Sequence, residues 1–537
     1  MELNKNILKE KNRLIESGFN VPEFDYEEVK KRTMKKPKWI HFGAGNIFRA
    51  FLAPAQQELL NKGIDDTGIV MVEGYDYEIV DVLQSFDDLT INVTLKSNGD
   101  VNYDLVSSIS AYLKMDTHSS DYQTLRELVQ SPSLQLISFT ITEKGYSLTN
   151  NNGDFYPHVL EDFKNGPKHA ESYLGKLVSL LVERFDAGKL PLALVSMDNM
   201  SENGRKLEEA VLTIAEQWHK NDFVAKEFLE YLNDKNSVSF PWSMIDKITP
   251  RPDVQVQRML EDIGFSNMSP QETERHTFVA PYVNGEETQY LIIEDLFPNG
   301  RPQLEETGII FTNKETVNAV ETMKVTTCLN PLHTALAIYG CLLGYTSIYQ
   351  EMKDEDLVAL IKLLGYDEGL PVVKDPKIID PKEFIDEVIN VRLSNPFIPD
   401  TPQRIASDTS QKLSVRFGET LKSYIQSEEL DVTFLRAIPL VYAGWLRYLM
   451  AVDDNGEVFQ LSPDPLLTEL TPIFSNNELG EKVELDAIQK LLTNEKIFGI
   501  DLFKAGIGNE VLQLFEEMTS GPGAVRATIQ KVLTNKK

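Results

Sequence analysis

Lys324, Asn330 and His333 share one short stretch, KVTTCLNPLHTALAIYG (324–340), where an otherwise apolar helix should begin. Together these three residue types suffice for hydride-transfer chemistry at an alcohol or ketone without a metal. The hydroxyl proton must leave on oxidation and be supplied on reduction. A lysine can do this if desolvation or a neighbouring cation brings its pKa toward neutrality. Asn and neutral His can donate hydrogen bonds to the oxygen on which negative charge develops. The spacing poses a difficulty, because residues nine apart on a regular α-helix point about 180° from each other. Two arrangements would repair it. The helix could widen into a π-bulge or kink at Pro331, which has no N–H to give. Alternatively the helix could break, with Asn330 as N-cap and Pro331 as first helical residue. His333 would then be kept neutral by the positive end of the helix dipole.

The elements around this stretch change character along the chain. In the first half, KWIHF (38–42) and GIVMVEGYD (68–76) are short apolar runs followed by turns, and LQLISFTITEKGY (134–146) and LPLALVSMDN (190–199) are apolar runs that end in polar residues. SYLGKLVSLLVERF (172–185) has helical periodicity between two of them. Continuous rather than alternating strands, separated by helices, predict a mostly parallel sheet covered on both faces. DLTINVTLKSNGDVNYDLV (88–106) predicts a hairpin around Asn98-Gly99. After the turn-rich EDLFPNGRPQLEETG (294–308) helical patterns dominate, including TALAIYGCLLGY, PKEFIDEVINVRL and LRAIPLVYAGWLRYLMAV. The expectation is a polar lead-in over 1–36, an α/β domain over 37–308 and an all-α domain over 309–537.

The α/β half carries its own chemical signal. In IHFGAGNIFRAF (40–51), Gly43 and Gly45 separate a strand from a helix that opens with Asn46 and Ile47. That is where a dinucleotide pyrophosphate meets backbone N–H groups at a helix N-terminus. The third glycine of the usual fingerprint is replaced by Phe48. Glu73, at the end of the next apolar run, is placed to accept hydrogen bonds from the adenosine ribose and to repel a 2′-phosphate, which favours NAD. Asp76 competes for that role. The polar residues after the other runs, Thr142 and Glu143 in TITEKGY, those of MDNMSENG (197–204) and those of SMIDKITPRPD (243–253), would gather at the carboxyl ends of the strands. The same residues also fit ordinary turns.

Composition excludes several classes. A net charge of −29 over 537 residues disfavours nucleic-acid binding, which needs a basic face, and docking on anionic membranes. Two cysteines, Cys328 and Cys341, cannot build a disulfide framework, and no Cys/His pairs fall at zinc spacing, so no metal is expected. No run approaches the roughly 20 apolar residues of a membrane span, and MELNKNILKEKNRLIESG lacks an apolar signal core. A cytoplasmic enzyme or binding protein is expected. Its oligomeric state cannot be read from the pattern.

HFGAGNIFRA, TITEKGY, DNMSENG, MIDKITP, EDLFPNGRP, KVTTCLNPLH and RLSNPFIPDTPQRIASDTSQKL occur in that order between about 38 and 416. In this ordered set the chain resembles the polyol-specific long-chain dehydrogenases. That family includes mannitol dehydrogenase, mannonate oxidoreductase (fructuronate reductase) and altronate oxidoreductase. The resemblance implies a Rossmann-like N-terminal domain, a helical C-terminal domain, a nicotinamide dinucleotide and no metal. It implies Lys324 as the acid/base, with Asn199, Asn330 and His333 polarising the reacting oxygen. The family usually has four residues between this Lys and Asn; this chain has five.

Substrate contacts are expected from DTPQRIASDTSQKL (400–413). Thr401-Pro402 reads as N-cap and first helical residue. Arg404 and Lys412, eight apart, would lie about 80° apart on one helix and share a cleft. The resemblance places substrate-binding residues at both, with Asp246 or Lys247 nearby. A cationic pair suits a carboxylate. Overall likeness favours fructuronate and mannonate as the NADH-linked pair, followed by tagaturonate and altronate, then a neutral polyol such as mannitol. A different class, an NAD-retaining sugar-acid epimerase, is kept open by the five-residue spacing.

Overall fold

The computed structural model describes residues 1–150 and 152–534. The chain forms two compact units, Met1–Asn318 and Ala319–Lys537.

The N-terminal unit is built on six parallel strands: β1 (Trp39–Phe42), β2 (Ile69–Glu73), β3 (Ile109–Lys114), β4 (Leu136–Phe139), β5 (Leu192–Ser196) and β6 (Val238–Ser239). Their order across the sheet is β3-β2-β1-β4-β5-β6. This is the doubly wound arrangement, whose strand order reverses beside β1 and leaves a crevice at the carboxyl ends there. Period-two alternation divides the apolar side chains between two cores. Ile40, Phe42, Val70, Val72, Ile137 and Phe139 pack on one face; Trp39, Ile69, Met71, Leu136, Ala193 and Val195 pack on the other. Both faces are dry, which is why the strand sequences run apolar without interruption.

The expected hairpin forms from Thr90–Leu95 and Val101–Val106, and belongs to a separate four-stranded sheet. The outer strand of that sheet is Phe19–Asn20, parallel to Tyr103–Asp104. Buried Leu3, Ile7, Leu14 and Val29, and a bond from Gly68 N to Thr33 Oγ1 at 2.8 Å, stitch residues 1–36 into this unit. Ser243–Asp246 does not join the parallel sheet. It pairs antiparallel with Tyr290–Glu294, so the expectation that SMIDKITPRPD ends one of the parallel strands is corrected. Ile310–Thr312 runs parallel to Ile292–Glu294 and ties that segment to the same three-stranded sheet.

The described part of the C-terminal unit is helical, with one isolated bridge between Val452 and Val458. Its centre is Asn330–Leu342, apolar around most of its circumference, as a helix enclosed on all sides must be. It packs on Ala437–Tyr448, where all twelve residues are buried. Tyr339 hydroxyl donates to Leu440 O at 2.6 Å, and its ring lies where a Cβ on Gly444 would have to go. The head of Ala437–Tyr448 is capped by Glu368, whose carboxylate accepts from Arg436, Ala437 and Ile438 N–H at 2.6, 2.6 and 2.9 Å. Among the described residues of this unit, four π turns interrupt the helices: Lys324–Cys328, Leu363–Gly369, Val388–Arg392 and Ser414–Gly418.

Candidate active site

The loop after β1 is fixed by what surrounds it. Gly43 has φ +111°, and a Cβ there would stand 2.3 Å from Thr140 O, so only glycine fits. Gly45 faces open space. Glu73, at the end of β2, is buried and uses its carboxylate to hold the loop. Oε2 accepts from Ala44 N at 3.0 Å, while Oε1 accepts from Tyr75 N at 2.8 Å and Asp76 N at 3.2 Å. Asp76 is turned to Thr273 Oγ1, which donates to it at 2.6 Å. Between the two candidates for a ribose contact, Glu73 is the one on the cavity wall.

That cavity, about 620 Å³, is bounded by Gly43–Gly45, Glu73, Tyr75 and Thr140–Thr142. Its far rim is held by a residue that sequence reasoning passed over. Asp198, just beyond β5, accepts from Ile141 N at 2.8 Å, Thr142 N at 3.0 Å and the Tyr146 hydroxyl at 2.6 Å. Burial pushes its pKa up against these bonds. Thr142 itself is in the left-handed region, φ +65°, a conformation that costs a non-glycine residue free energy. Asp198 stands within the quoted MDNMSENG, and an Asp before Asn at a strand end was the available signal. Glu143 is exposed and paired with Lys206 at 2.9 Å. Asn46 Nδ2 donates to Pro250 O at 2.8 Å, Ile47 opens the helix and is half-buried, and Asn199 is exposed in the bend after β5. Asp246 is buried at the end of its antiparallel strand; Lys247 donates to Glu286 O and Gln289 Oε1 at 2.8 and 2.9 Å. An exposed glycine edge, an acidic group on the wall and an open cavity at the strand-order reversal fit a dinucleotide.

In the C-terminal unit the extra residue before Asn330 is absorbed by a wide turn. Leu329 N bonds Lys324 O, five residues back, at 3.1 Å, and Lys324–Cys328 is a π turn. The α-helix resumes at Asn330, preceded by Leu329 with φ −128° and ψ −62°. The chain combines the two repairs: Lys324–Cys328 is a π turn and the helix is interrupted at Leu329, with Asn330 the first helical residue and not the N-cap. Thr326 and Thr327 hydroxyls donate to Thr322 O and Met323 O, each at 2.8 Å, bracing the widened turn. Lys324 is 2% exposed.

His333 lies one turn further on. Burial drives its pKa down to about 4, against the pull of Asp400, with Arg392, Arg416 and Arg404 adding to the depression. The ring is therefore neutral at physiological pH. Its Nε2 stands 3.5 Å from Asp400 Oδ2 and has no hydrogen-bond partner, although it is buried. A buried nitrogen in that condition is costly unless a ligand completes it.

Arg404 and Lys412 do not share a helix face, which corrects the expectation drawn from their spacing. Thr401 caps a four-residue helix, Pro402–Ile405, as read. The chain then turns at Asp408, φ 54°, into the 3-10 turn Thr409–Gln411. Arg404 pairs with Asp400 and its side chain is 62% exposed. Lys412 Nζ donates to Ser407 O at 2.5 Å.

Comparison with known proteins follows the same division. Residues 37–306 match the mannitol dehydrogenase Rossmann domain and residues 316–519 the mannitol dehydrogenase C-terminal domain. The chain belongs to the mannitol dehydrogenase family. It is an oxidoreductase acting on sugars or polyols. A D-mannonate oxidoreductase of Thermotoga maritima is 49% identical over 537 residues, covering 99% of both chains. A mannitol 2-dehydrogenase of Emericella nidulans is 27% identical over 86% of each. Among solved structures, the Pseudomonas fluorescens mannitol 2-dehydrogenase in ternary complex with NAD and D-mannitol superposes with a TM-score of 0.71. It is 26% identical and covered in full, as is this chain. A D-sorbitol dehydrogenase in substrate-free form gives 0.78 at 25% identity, over 95% of this chain and 97% of the other. Among the described residues no group of three or more His, Cys, Asp or Glu is placed to hold a metal ion, and no helix is long and apolar enough to cross a membrane.

Proposed function

We propose that this enzyme reduces fructuronate to mannonate with NADH, and runs the reverse reaction, using Lys324 as its acid/base. The nucleotide is NAD: Gly43–Gly45 and Asn46–Ile47 would meet its pyrophosphate, Glu73 its ribose, and the Thr142–Glu143 turn would border it. When bound, its nicotinamide supplies or accepts the hydride. Lys324 donates a proton to the carbonyl oxygen on reduction and takes one from the hydroxyl on oxidation. Asn199, Asn330 and neutral His333 donate hydrogen bonds to that oxygen as charge develops on it. Arg404, Lys412, Asp246 and Lys247 bind the remainder of the substrate.

The observation that carries this reading is the condition of His333: the ring is neutral and its buried Nε2 makes no hydrogen bond, 3.5 Å from Asp400 Oδ2, on the helix that resumes at Asn330 after the Lys324 turn. Buried ring nitrogens are as a rule hydrogen-bonded, so a ligand that completes this one is favoured. The substrate choice is supported by the 49% identical mannonate oxidoreductase.

The test is a panel of fructuronate, tagaturonate and fructose, with their reduced partners, each with NADH/NAD and NADPH/NADP, followed by nicotinamide absorbance. Fructuronate with NADH should give the highest kcat/KM. Lys324→Ala should lower kcat by at least about 1,000-fold while NADH still binds. A variant that keeps turnover would remove Lys324 from the chemistry. Isomerised substrate with no net absorbance change would mean epimerisation.

A further inference from the structure

A cation outside the expected set, Arg416, has the less complete bonding. The π turn Ser414–Gly418 sets it against the first turn of Asn330–Leu342, where Nη1 donates to Thr334 Oγ1. Thr334 spends its own hydroxyl proton on Asn330 O at 2.8 Å, so its lone pair is committed to the arginine. This fixes the guanidinium beside the residue that follows His333. Among the described residues, no carboxylate lies within ion-pairing distance of Arg416, and Thr334 is its one side-chain partner. The side chain is half-buried, and among the described residues the bond from Nη1 to Thr334 Oγ1 is the hydrogen bond its guanidinium makes. Burial lowers the pKa to about 10, which leaves the group charged at neutral pH.

The neighbouring cations differ in kind. Arg404 already has Asp400, and Lys412 is tied to a backbone carbonyl. Arg416 and Arg404 both act on His333 and on Lys412 electrostatically, in the direction that disfavours further positive charge. Asp400, Asp408 and Asp464 act on these groups in the opposite direction, yet the planar fork of Arg416 has no carboxylate of its own. A partly desolvated guanidinium without a counter-charge is destabilising, and the group that matches its geometry is a carboxylate or phosphate bound through two parallel N–H bonds. The substrate proposed above carries one such group, a carboxylate.

We propose that Arg416 binds the substrate carboxylate and selects a sugar acid over a neutral sugar of the same length, an assignment that rests on the hexuronate reading. In this account Arg404, neutralised by Asp400, helps bind the remainder of the substrate, and Arg416 supplies the charge for its carboxylate. The arginine has no part in proton or hydride transfer.

The experiment measures kcat/KM for fructuronate and for fructose, with NADH, in the wild-type enzyme, in Arg416→Gln and in Arg416→Lys. Melting temperatures and NADH affinity are recorded for each. The ratio of fructuronate to fructose kcat/KM should fall about 100-fold in Arg416→Gln, mainly through KM, and about tenfold in Arg416→Lys, which keeps the charge but loses the fork. A purely structural role would depress both substrates together and leave the ratio unchanged; that result overturns the assignment. If Arg416→Gln does not fold, the lysine variant decides: an unchanged ratio there overturns it equally. A wild-type enzyme that prefers fructose would instead overturn the hexuronate reading, and the carboxylate role with it. A wild type that prefers fructuronate with variants that keep that preference would remove Arg416 alone.

Discussion

The two units place polar groups at the ends of buried elements by different means. In the N-terminal unit the strands stop, and the loops beyond them are pinned by single buried carboxylates. Glu73 gathers the N–H groups of Ala44, Tyr75 and Asp76, and Asp198 those of Ile141 and Thr142. In the C-terminal unit helices also widen around a polar group, and Lys324, Arg392 and Arg416 each lie in a π turn, as the buried Arg49 does in Phe48–Leu52 just past the Gly43–Gly45 loop. A loop held by a carboxylate depends on that one acceptor, whereas a π turn is held by the whole packed helix around it. The first kind of site should therefore be fragile to single substitutions in the loop, and the second robust in fold while sensitive in chemistry.

The largest effect that would sharpen this contrast is at Gly43. Gly43→Ala puts a methyl 2.3 Å from Thr140 O at φ +111°, and should cost about 3 kcal/mol or more of stability, read by thermal melting together with loss of NADH binding. A variant that melts within a degree or two of wild type would break the picture of a rigid glycine loop.

A smaller effect is expected from Glu73→Ala, which strips three N–H groups of their acceptor. It should destabilise by about 2 kcal/mol, weaken NADH binding and narrow the preference over NADPH. Unchanged cofactor preference would confine Glu73 to holding the loop and leave the ribose to another residue.

The smallest effect is a pH dependence in the C-terminal unit. The folded-state pKa of His333, about 4, lies below its ordinary value of 6.5. Between those values the unfolded chain binds the extra proton, so this contribution to stability is present above pH 6.5 and is lost as pH falls toward 4. His333→Gln should flatten the decline in melting temperature between pH 6.5 and 4.5 by a few degrees. The wild-type kcat/KM profile should show no inflection from this histidine near pH 6.5. Such an inflection, lost in His333→Gln, would mean that the ring is charged at work and that the contrast with the neutral, pre-set loop site is wrong.

Much of the N-terminal architecture was legible in the sequence because its signals are local. Four apolar runs, each followed by turn or polar residues, give strands whose ends must be loops, and Gly43 reads as a turn from its neighbours alone. What failed was membership. SMID looked like another strand of the same sheet, but its partner is Tyr290–Glu294, some 45 residues away in the chain, and no local pattern encodes that pairing. The role of Asp198 was hidden for a similar reason, since its donors lie on a different loop.

The C-terminal site was legible in kind and not in geometry. Lys, Asn and His at the head of an apolar helix announce their chemistry, and the count of residues between them announces that something must give. Whether the helix bulges or breaks depends on a difference of a few backbone hydrogen bonds, decided by what packs against Thr326, Thr327 and Pro331. The eight-residue step from Arg404 to Lys412 misled because it presumes a regular helix, and Asp408 turns the chain between them.

By itself, then, the sequence determined the fold class, the family and the chemical types at the site, since these follow from periodicity, from glycine, and from which side chains can move a proton. Only the tertiary structure decided which charges were already neutralised. Arg404 and Arg416 are indistinguishable as letters, yet one lies against Asp400 and the other against a hydroxyl. Coulomb interactions fall off with distance through space, and distance through space is what a linear chain does not record until it folds.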